Sequence, residues 1–333
     1  MSEISGNAAK PPVLTISANP ALDLSVAVDR LTPGALHRAE SVELTAAGKG
    51  VNMARVLAAL GHPVCVTGFL GSDNDSPFID AFAEMGVEDA FVRLPGATRI
   101  NTKLSEADGR VSDINAPGLS VDDDAWQRLI ANIEARLTTP ALRPAAVMIG
   151  GSQPPGVGAS ALAELITRIK ANGVPVWVDT SGEALKAAVK AGADAVKPNL
   201  EELADWADRD IATDVDVQRA ALELYAAGVG DVLISAGADG VTWLGPHGLW
   251  QSLPPAVRVA NTVCAGDTLF AAMLHGVLCE APVEQALRFA TALSAEAVRH
   301  TGVGRADASD FTDLLSDTRV RRLNDVEARG VLA

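Results

Sequence analysis

Positive charge is scarce in this chain: 27 Lys and Arg stand against 42 Asp and Glu in 333 residues, a formal charge of −15 at pH 7. A field of that sign repels nucleic acid and anionic membrane surfaces, so neither is expected as a partner, and any anionic ligand must be held by a local basic cluster. Long apolar runs are missing too. No stretch reaches the roughly 18 residues that a membrane helix needs. The opening MSEISGNAAKPP has no basic-then-apolar signal pattern and reads as a flexible tail over 1–12. Cysteine is limited to Cys65, Cys264 and Cys279, which cannot all pair and show no metal-like spacing, so a reducing cytoplasm is the expected location. Aromatics make up 4% of the residues, and the five tryptophans are scattered, so no base-stacking platform is expected.

What is present is an ordinary globular composition, 48% hydrophobic and 21% charged. Length alone gives two domains as a soft prior, but the pattern reads as one α/β body. Strand-like runs at 13–18, 64–70, 145–149, 175–179, 193–197, 232–235 and 257–263 alternate with helix-like stretches at 52–60, 76–85, 122–137, 160–171, 182–191, 200–207, 217–227 and 266–278. That alternation predicts a mainly parallel, doubly wound sheet covered by helices. Two segments break it. Around 23–46 and 97–115, strands are joined by turns alone, TPG and ADGR, which predicts a small inserted β-sheet acting as a lid or a dimer surface. The body is expected to span 13–315, followed by a C-terminal tail over 316–333.

Three segments carry chemistry. In NTVCAGDTLFAAML (261–274) a strand runs through Ala265 and Gly266 into a helix, where unpaired amides and the helix dipole make a seat for phosphate. Asp267, in the first turn, is there either as a helix cap or as a general base. AAGKGVNMARVLAALG (46–61) sets a Gly-rich turn before a helix and fits neither the P-loop nor the dinucleotide fingerprint. In VKPNLEELADW (196–206), Asn199 and Glu202 are three apart, a spacing that suits a capping box or the water shell of a magnesium ion. His37 beside Arg38 could reach a substrate, whereas His62, His247, His275 and His300 read as rim or solvated residues.

Taken in order, SANPALD (17–23), AAGKGVN (46–52), TRINTKL (98–104), GGSQPPGV (150–157), DTSGEAL (179–185), KPNLEEL (197–203), ISAGADG (234–240) and NTVCAGD (261–267) resemble the phosphofructokinase-B group of ribokinase-like sugar kinases. Within that group the chain is most similar to the branch acting on fructose 1-phosphate or tagatose 6-phosphate. The resemblance spans about 13–305. It implies a three-layer α/β/α body with a small β-sheet lid, ATP as phosphoryl donor, Mg2+ as partner ion, and fructose 1-phosphate converted to fructose 1,6-bisphosphate, with tagatose 6-phosphate, fructose 6-phosphate or an unphosphorylated sugar as other acceptors. A sensor of sugar phosphate or nucleotide without turnover is the non-enzymatic alternative. Matched position by position, Asp267 is cast as general base, Ala265 and Gly266 as anion-hole amides with Cys264 beside them, and Asp23, Gly48 and Asn52 as holders of sugar hydroxyls. Asn199, Ser235, Gly237 and Gly240 fall to the nucleotide, and Glu202 to magnesium through water. Ala47 and Cys264 stand where the family usually has glycine, and the helix N-terminus is expected to lower the Cys264 thiol pKa.

In TRINTKL, Arg99, Asn101 and Lys103 share one strand face. Arg99 and Lys103, with Arg38 and Lys49, form a basic set expected to clamp the phosphate already on the sugar, with Ser152 nearby. The exposed lid edges are expected to join two chains into a homodimer.

Overall fold

The computed structural model describes residues 9–323. The first strands are β1 (Val13–Ser17), β2 (Ala21–Val28), β3 (Ser41–Ala47), β4 (Val64–Gly71), β5 (Glu88–Asp89), β6 (Val92–Leu94), β7 (Ile100–Glu106) and β8 (Val111–Ile114). They are followed by β9 (Ala146–Gly150), β10 (Val176–Asp179), β11 (Ala195–Val196), β12 (Asp231–Ser235), β13 (Val241–Gly245), β14 (Gly248–Leu253) and β15 (Arg319–Arg322). Between them lie α1 (Lys49–Ala59), α2 (Ser76–Met85), α3 (Asp123–Thr138), α4 (Ala159–Ala171), α5 (Gly182–Lys190), α6 (Leu200–Ala207), α7 (Asp214–Ala226), α8 (Ala265–Leu278), α9 (Val283–Ala297) and α10 (Phe311–Asp317).

The main sheet runs β15-β14-β13-β12-β11-β10-β9-β1-β4-β5, with β6 also on β4. It is parallel from β12 through β4 and its two partners, and antiparallel across β13, β14 and β15. Alternation along each strand sends side chains to opposite faces, and each face is sealed by its own helices. In β1, Leu14 and Ile16 join a core with Leu129 and Ile133 of α3, Ile166 of α4, Leu185 of α5, Leu203 of α6 and Leu224 of α7. Val13 points the other way, into a core with Leu57 of α1, Phe78 of α2, Phe270 of α8, Leu287 of α9 and Phe311 of α10. The expected three-layer α/β/α body is therefore present.

The lid is a separate sheet, β3-β2-β7-β8, with β2 parallel to β7 and the outer pairs antiparallel. Its register puts Asp23, Asn101 and Lys103 on one face and Leu24, Leu44, Thr102 and Ile114 on the other.

Two expectations need correction. The stretch 257–263 is no strand: Pro254 and Pro255 lack amide donors, and the amides of Ala260 and Asn261 both turn to the Val298 carbonyl at 2.7 and 3.1 Å. The body does not stop at 315, because β15 pairs with β14. Of the expected tails, 1–8 and 324–333 lie outside the described residues. No helix among the described residues is long and apolar enough to cross a membrane.

Candidate active site

Chain order reverses at β1, which lies between β4 and β9, and in such sheets the crevice forms beyond the carboxyl ends of the strands. A cavity of about 1060 Å³ opens there, between those strand ends and the lid. Of the residues singled out from sequence, Asp23, Gly48, Lys49, Asn52, Arg99, Asn101, Ser152, Asn199, Glu202, Ser235, Gly237, Gly240, Cys264, Ala265, Gly266 and Asp267 all border it. Arg38 and Lys103 do not.

Asp267 sits in the first turn of α8 and is 6% exposed. Its Oδ2 accepts a 2.7 Å hydrogen bond from Asn52 Nδ2 of α1, and Oδ1 has no partner among the described residues. Burial, opposed by Lys49, the Asn52 hydrogen bond and Lys197 but assisted by Asp179, lifts its pKa from 3.8 to about 6. That places the carboxyl where a general base works best, ionised at neutral pH yet basic enough to take a proton.

Next to it, Ala265 N–H closes a long turn to the Thr262 carbonyl at 3.4 Å, so Ala265 is not the free amide expected. The amides of Gly266 and Asp267, like that of Cys264, have no protein acceptor among the described residues. A Cβ built on Gly266 would stand 3.1 Å from Lys197 Nζ. Glycine therefore lets an ammonium reach the helix N-terminus, and amide, dipole and cation converge on one anion seat.

Asp179 at the end of β10, fully buried, ties two cations to this floor. Lys49 Nζ donates to Oδ1 at 2.8 Å, and Lys197 Nζ stands 3.2 Å from Oδ2, an ion pair without hydrogen-bond alignment. Burial alone would raise Asp179, but Lys197 and Lys49 hold it below the usual carboxylate range. Burial likewise opposes the charge on Lys49, and Asp179, Asp267 and Glu202 outweigh it and raise its pKa. Asp179 and Lys197 had been given no role from sequence. Their signal was available: charged residues closing apolar strands of a parallel sheet face the crevice.

The other expected residues sort differently. Asn199 and Glu202 form a capping box at α6, with Asn199 Oδ1 accepting from Glu202 N at 2.8 Å and Glu202 Oε2 accepting from Asn199 N at 2.9 Å. Glu202 Oε1 keeps no protein partner among the described residues, so the carboxylate can serve both roles. Ser235 ends β12, and Gly237 and Gly240 follow with φ of 58° and 94°; a Cβ on Gly240 would meet the Ser252 carbonyl at 2.1 Å. Gly48 caps α1 at φ 126°, where a Cβ would crowd Ser17 Oγ at 2.9 Å. Ala47 is buried opposite Ala21 and does not border the cavity, so its methyl does not obstruct a ligand.

The basic clamp is not assembled as expected. Arg99 spends its donors on the carbonyls of Asn19 (2.7 Å), Ala116 (2.8 Å) and Pro20 (3.2 Å), fastening the root of the lid. Lys103 lies 3.5 Å from Asp23 and 3.4 Å from Asp113, and Asn101 Nδ2 donates to Asp23 Oδ1 at 3.3 Å. Arg38 is exposed on the β2–β3 connection, and His37 bonds Thr32 instead of facing the cavity. Cys264 holds φ 70°, and burial, together with Asp267 and Asp23, pushes its thiol up to about 12, the reverse of the shift expected at a helix N-terminus. His62 and His275, taken as rim residues, are buried.

The pfkB family carbohydrate kinase profile matches residues 16–309. This chain belongs to that family. It is 42% identical over 311 residues to 1-phosphofructokinase of Vibrio cholerae, covering 93% of this chain and 97% of that one. It is 38% identical over 312 residues to 1-phosphofructokinase of Escherichia coli, covering 94% and 99%. Among solved structures, phosphofructokinase-2 from Escherichia coli in complex with substrates and products superposes with a TM-score of 0.83 at 28% identity, over 92% of this chain and 98% of that one. A kinase that moves phosphate onto a sugar hydroxyl accounts for the buried base beside an anion seat.

Proposed function

We propose that the protein transfers the γ-phosphoryl group of ATP to the 6-hydroxyl of fructose 1-phosphate, forming fructose 1,6-bisphosphate and ADP. The observation that carries this reading is Asp267 itself, a buried carboxylate with one free oxygen, adjoining two unpaired amides and the Lys197 ammonium. Asp267 Oδ1 takes the hydroxyl proton as the oxygen attacks phosphorus, and the proton later passes to solvent. Gly266 N–H and Lys197 stabilise charge on the transferring group, which needs positioning and neutralisation more than covalent help. Asn52 anchors Oδ2 and so aims Oδ1, while Asp23 and the Gly48 turn orient sugar hydroxyls and Asn101 and Ser152 extend that wall. The Ser235–Gly240 turn and Asn199 receive the nucleotide. Glu202, through its free Oε1, is the residue that would hold a water of Mg2+, an ion that offsets phosphate charge when bound.

The acceptor's own phosphate falls to Lys49, which opens α1 between the Gly48 turn and Asn52 and borders the cavity, assisted by Lys103 and Arg38 once the lid closes. Names of the relatives support fructose 1-phosphate over other ketohexose phosphates. The outward lid face, with Val42, Leu44, Ile100 and Ile114 between 43% and 61% exposed, supports a homodimer in which two lids cover each other. Measuring ADP release with fructose 1-phosphate, fructose 6-phosphate, tagatose 6-phosphate and fructose tests the reading. Fructose 1-phosphate should give the highest kcat/KM, and fructose phosphorylated equally well would remove the argument for a phosphate clamp.

A further inference from the structure

Away from the catalytic floor, the far ends of α1 and α8 meet at a cluster that phosphoryl transfer does not use. His62, just beyond α1, and His275, in the last turn of α8, are 4% and 2% exposed. His62 Nε2 and His275 Nδ1 are 2.9 Å apart, and Cys279 Sγ lies 3.7 Å from the same Nδ1. All three donor atoms fall within 4.8 Å of one another. His275 and Cys279 are four residues apart and so share a helix face, the spacing by which a helix presents two ligands to one ion. His62 Nδ1 faces the Pro11 carbonyl at 2.8 Å. That contact fixes the proton on Nδ1 and turns the Nε2 lone pair inward, the outer-shell support that metal-bound histidines usually have. The hydrogen bonds running from His62 Nδ1 to the Pro11 carbonyl and between His275 Nδ1 and His62 Nε2 suit two neutral rings, the state a ligand needs.

We propose that His62, His275 and Cys279 bind one Zn2+ ion, which braces the far ends of α1 and α8. Two imidazoles and a thiolate form a borderline-soft donor set that suits zinc and is wrong for magnesium. With bonds of about 2.0–2.3 Å, a tetrahedral ion wants its donors roughly 3.3–3.7 Å apart. The Cys279 Sγ–His275 Nδ1 pair already fits, the two histidine nitrogens need to part by about 0.4 Å, and Cys279 Sγ, within 4.8 Å of His62 Nε2, closes on it as the ion binds. A second cavity, of about 910 Å³, borders His275 and Lys10 and supplies water for the fourth position. The exchange balances. Cys279 loses its thiol proton to solvent, His275 moves its proton from Nδ1 to Nε2, and three metal–ligand bonds replace the His62–His275 hydrogen bond.

Burial raises the Cys279 thiol pKa and Lys10, whose ammonium bonds the Leu60 carbonyl, only partly offsets that; because binding exchanges one proton for a dication, Lys10 opposes the net gain of positive charge and holds the affinity down. Twelve residues of helix, about 18 Å, separate Cys279 from Asp267. The ion would thus tie together two helices whose other ends meet in the Asn52–Asp267 hydrogen bond.

Titration of the full chain with Co2+ as a spectroscopic probe, followed by Zn2+ calorimetry in two buffers of different ionisation heat, tests this. Expected are one Co2+ per chain with a thiolate charge-transfer band and intense tetrahedral visible bands, displacement by Zn2+ with one proton released, and a raised Tm. Cys279→Ser should lose the charge-transfer band and bind Zn2+ at least tenfold more weakly, whereas Lys10→Met should bind it more tightly. No Co2+ uptake at 100 µM, an unchanged band in Cys279→Ser, or no gain in Lys10→Met would overturn the proposal.

Discussion

Replacing Asp267 by Asn keeps the size of the side chain but removes a carboxylate that the fold has taken out of water. In the unfolded chain this carboxyl ionises near 3.8, and in the native state burial and the nearby Asp179 move it to about 6. Below the unfolded value both states hold the proton and nothing is lost. As pH rises between the two values the unfolded chain releases a proton that the native state keeps, and above about 6 the native state bears the whole cost. Two units of separation correspond to about 3 kcal/mol at neutral pH. Asp267→Asn should therefore be more stable than the parent at pH 8 by up to that amount, with the advantage shrinking towards pH 4. Turnover should fall by about a hundredfold or more, the scale of a lost general base, with KM for the sugar phosphate largely kept. The parent's own turnover should decline below about pH 6 as Asp267 takes up its proton. Urea unfolding at pH 8 and pH 4.5, together with a coupled ADP assay, reads all three effects. Near-full turnover in the variant would reduce Asp267 to a helix cap, and a variant less stable at pH 8 would refute the burial argument.

Cys264→Gly removes a side chain from a left-handed backbone position at φ 70°. Relief of that strain, offset by the greater freedom of glycine when unfolded, should raise stability by at most about 1 kcal/mol and leave kcat within a few-fold; a clear loss of Tm would contradict it. Because burial holds the thiol near 12, iodoacetamide at pH 8 should label Cys264 far more slowly than a free thiol, as peptide mapping would show. Arg99→Ala strands three carbonyls at the lid root and should cost about 1–3 kcal/mol while raising KM for the sugar phosphate more than for ATP; unchanged urea midpoint and kinetics would show that the lid root needs no such fastening. Leu44→Asp, on the outward lid face, should convert a dimer to monomers by light scattering, and an unaltered mass would place the interface elsewhere.

The body of the fold was legible because its strands are short apolar runs closed by polar residues, and α2 and α6 fall where their periodicity and caps put them. The β13–β14 hairpin, α9 and α10 were not read. The buried face of α9 is built largely from alanines, Ala286, Ala290, Ala292, Ala295 and Ala297 among them, and although its helical period is as clear as that of α4, these small residues do not stand out as a core stripe. The stretch 257–263 carried strand-like Val residues, but the amides of Ala260 and Asn261 turn to Val298 at the end of α9 and that of Val263 to the Asn261 side chain, so it joins no ladder.

At the site, Asp267 and Gly266 could be found because turn, glycine and helix start are contiguous in sequence, whereas Asn52 and Gly48 were reached only through the family resemblance, the turn before α1 being a weak signal on its own. Asp179 and Lys197 were readable as charges closing apolar strands, but the pairing of Asp179 with Lys49 and Lys197 joins the ends of different elements and no local pattern records it. Strand alternation gave the correct lid face to Asn101 and Lys103, yet could not foretell that Arg99, one residue before β7, would turn onto backbone carbonyls. His62 and His275 are 213 residues apart and meet only through the packing of α1 on α8.

The most direct test of the central claim is to identify the product by 31P NMR after incubating the protein with ATP, Mg2+ and fructose 1-phosphate. The account predicts ADP and a ketohexose carrying two phosphomonoesters, at carbons 1 and 6, in equal amounts, with no product formed by Asp267→Asn on the same time scale. ADP accompanied only by inorganic phosphate, or a phosphoryl group on any other oxygen of the sugar, would contradict it.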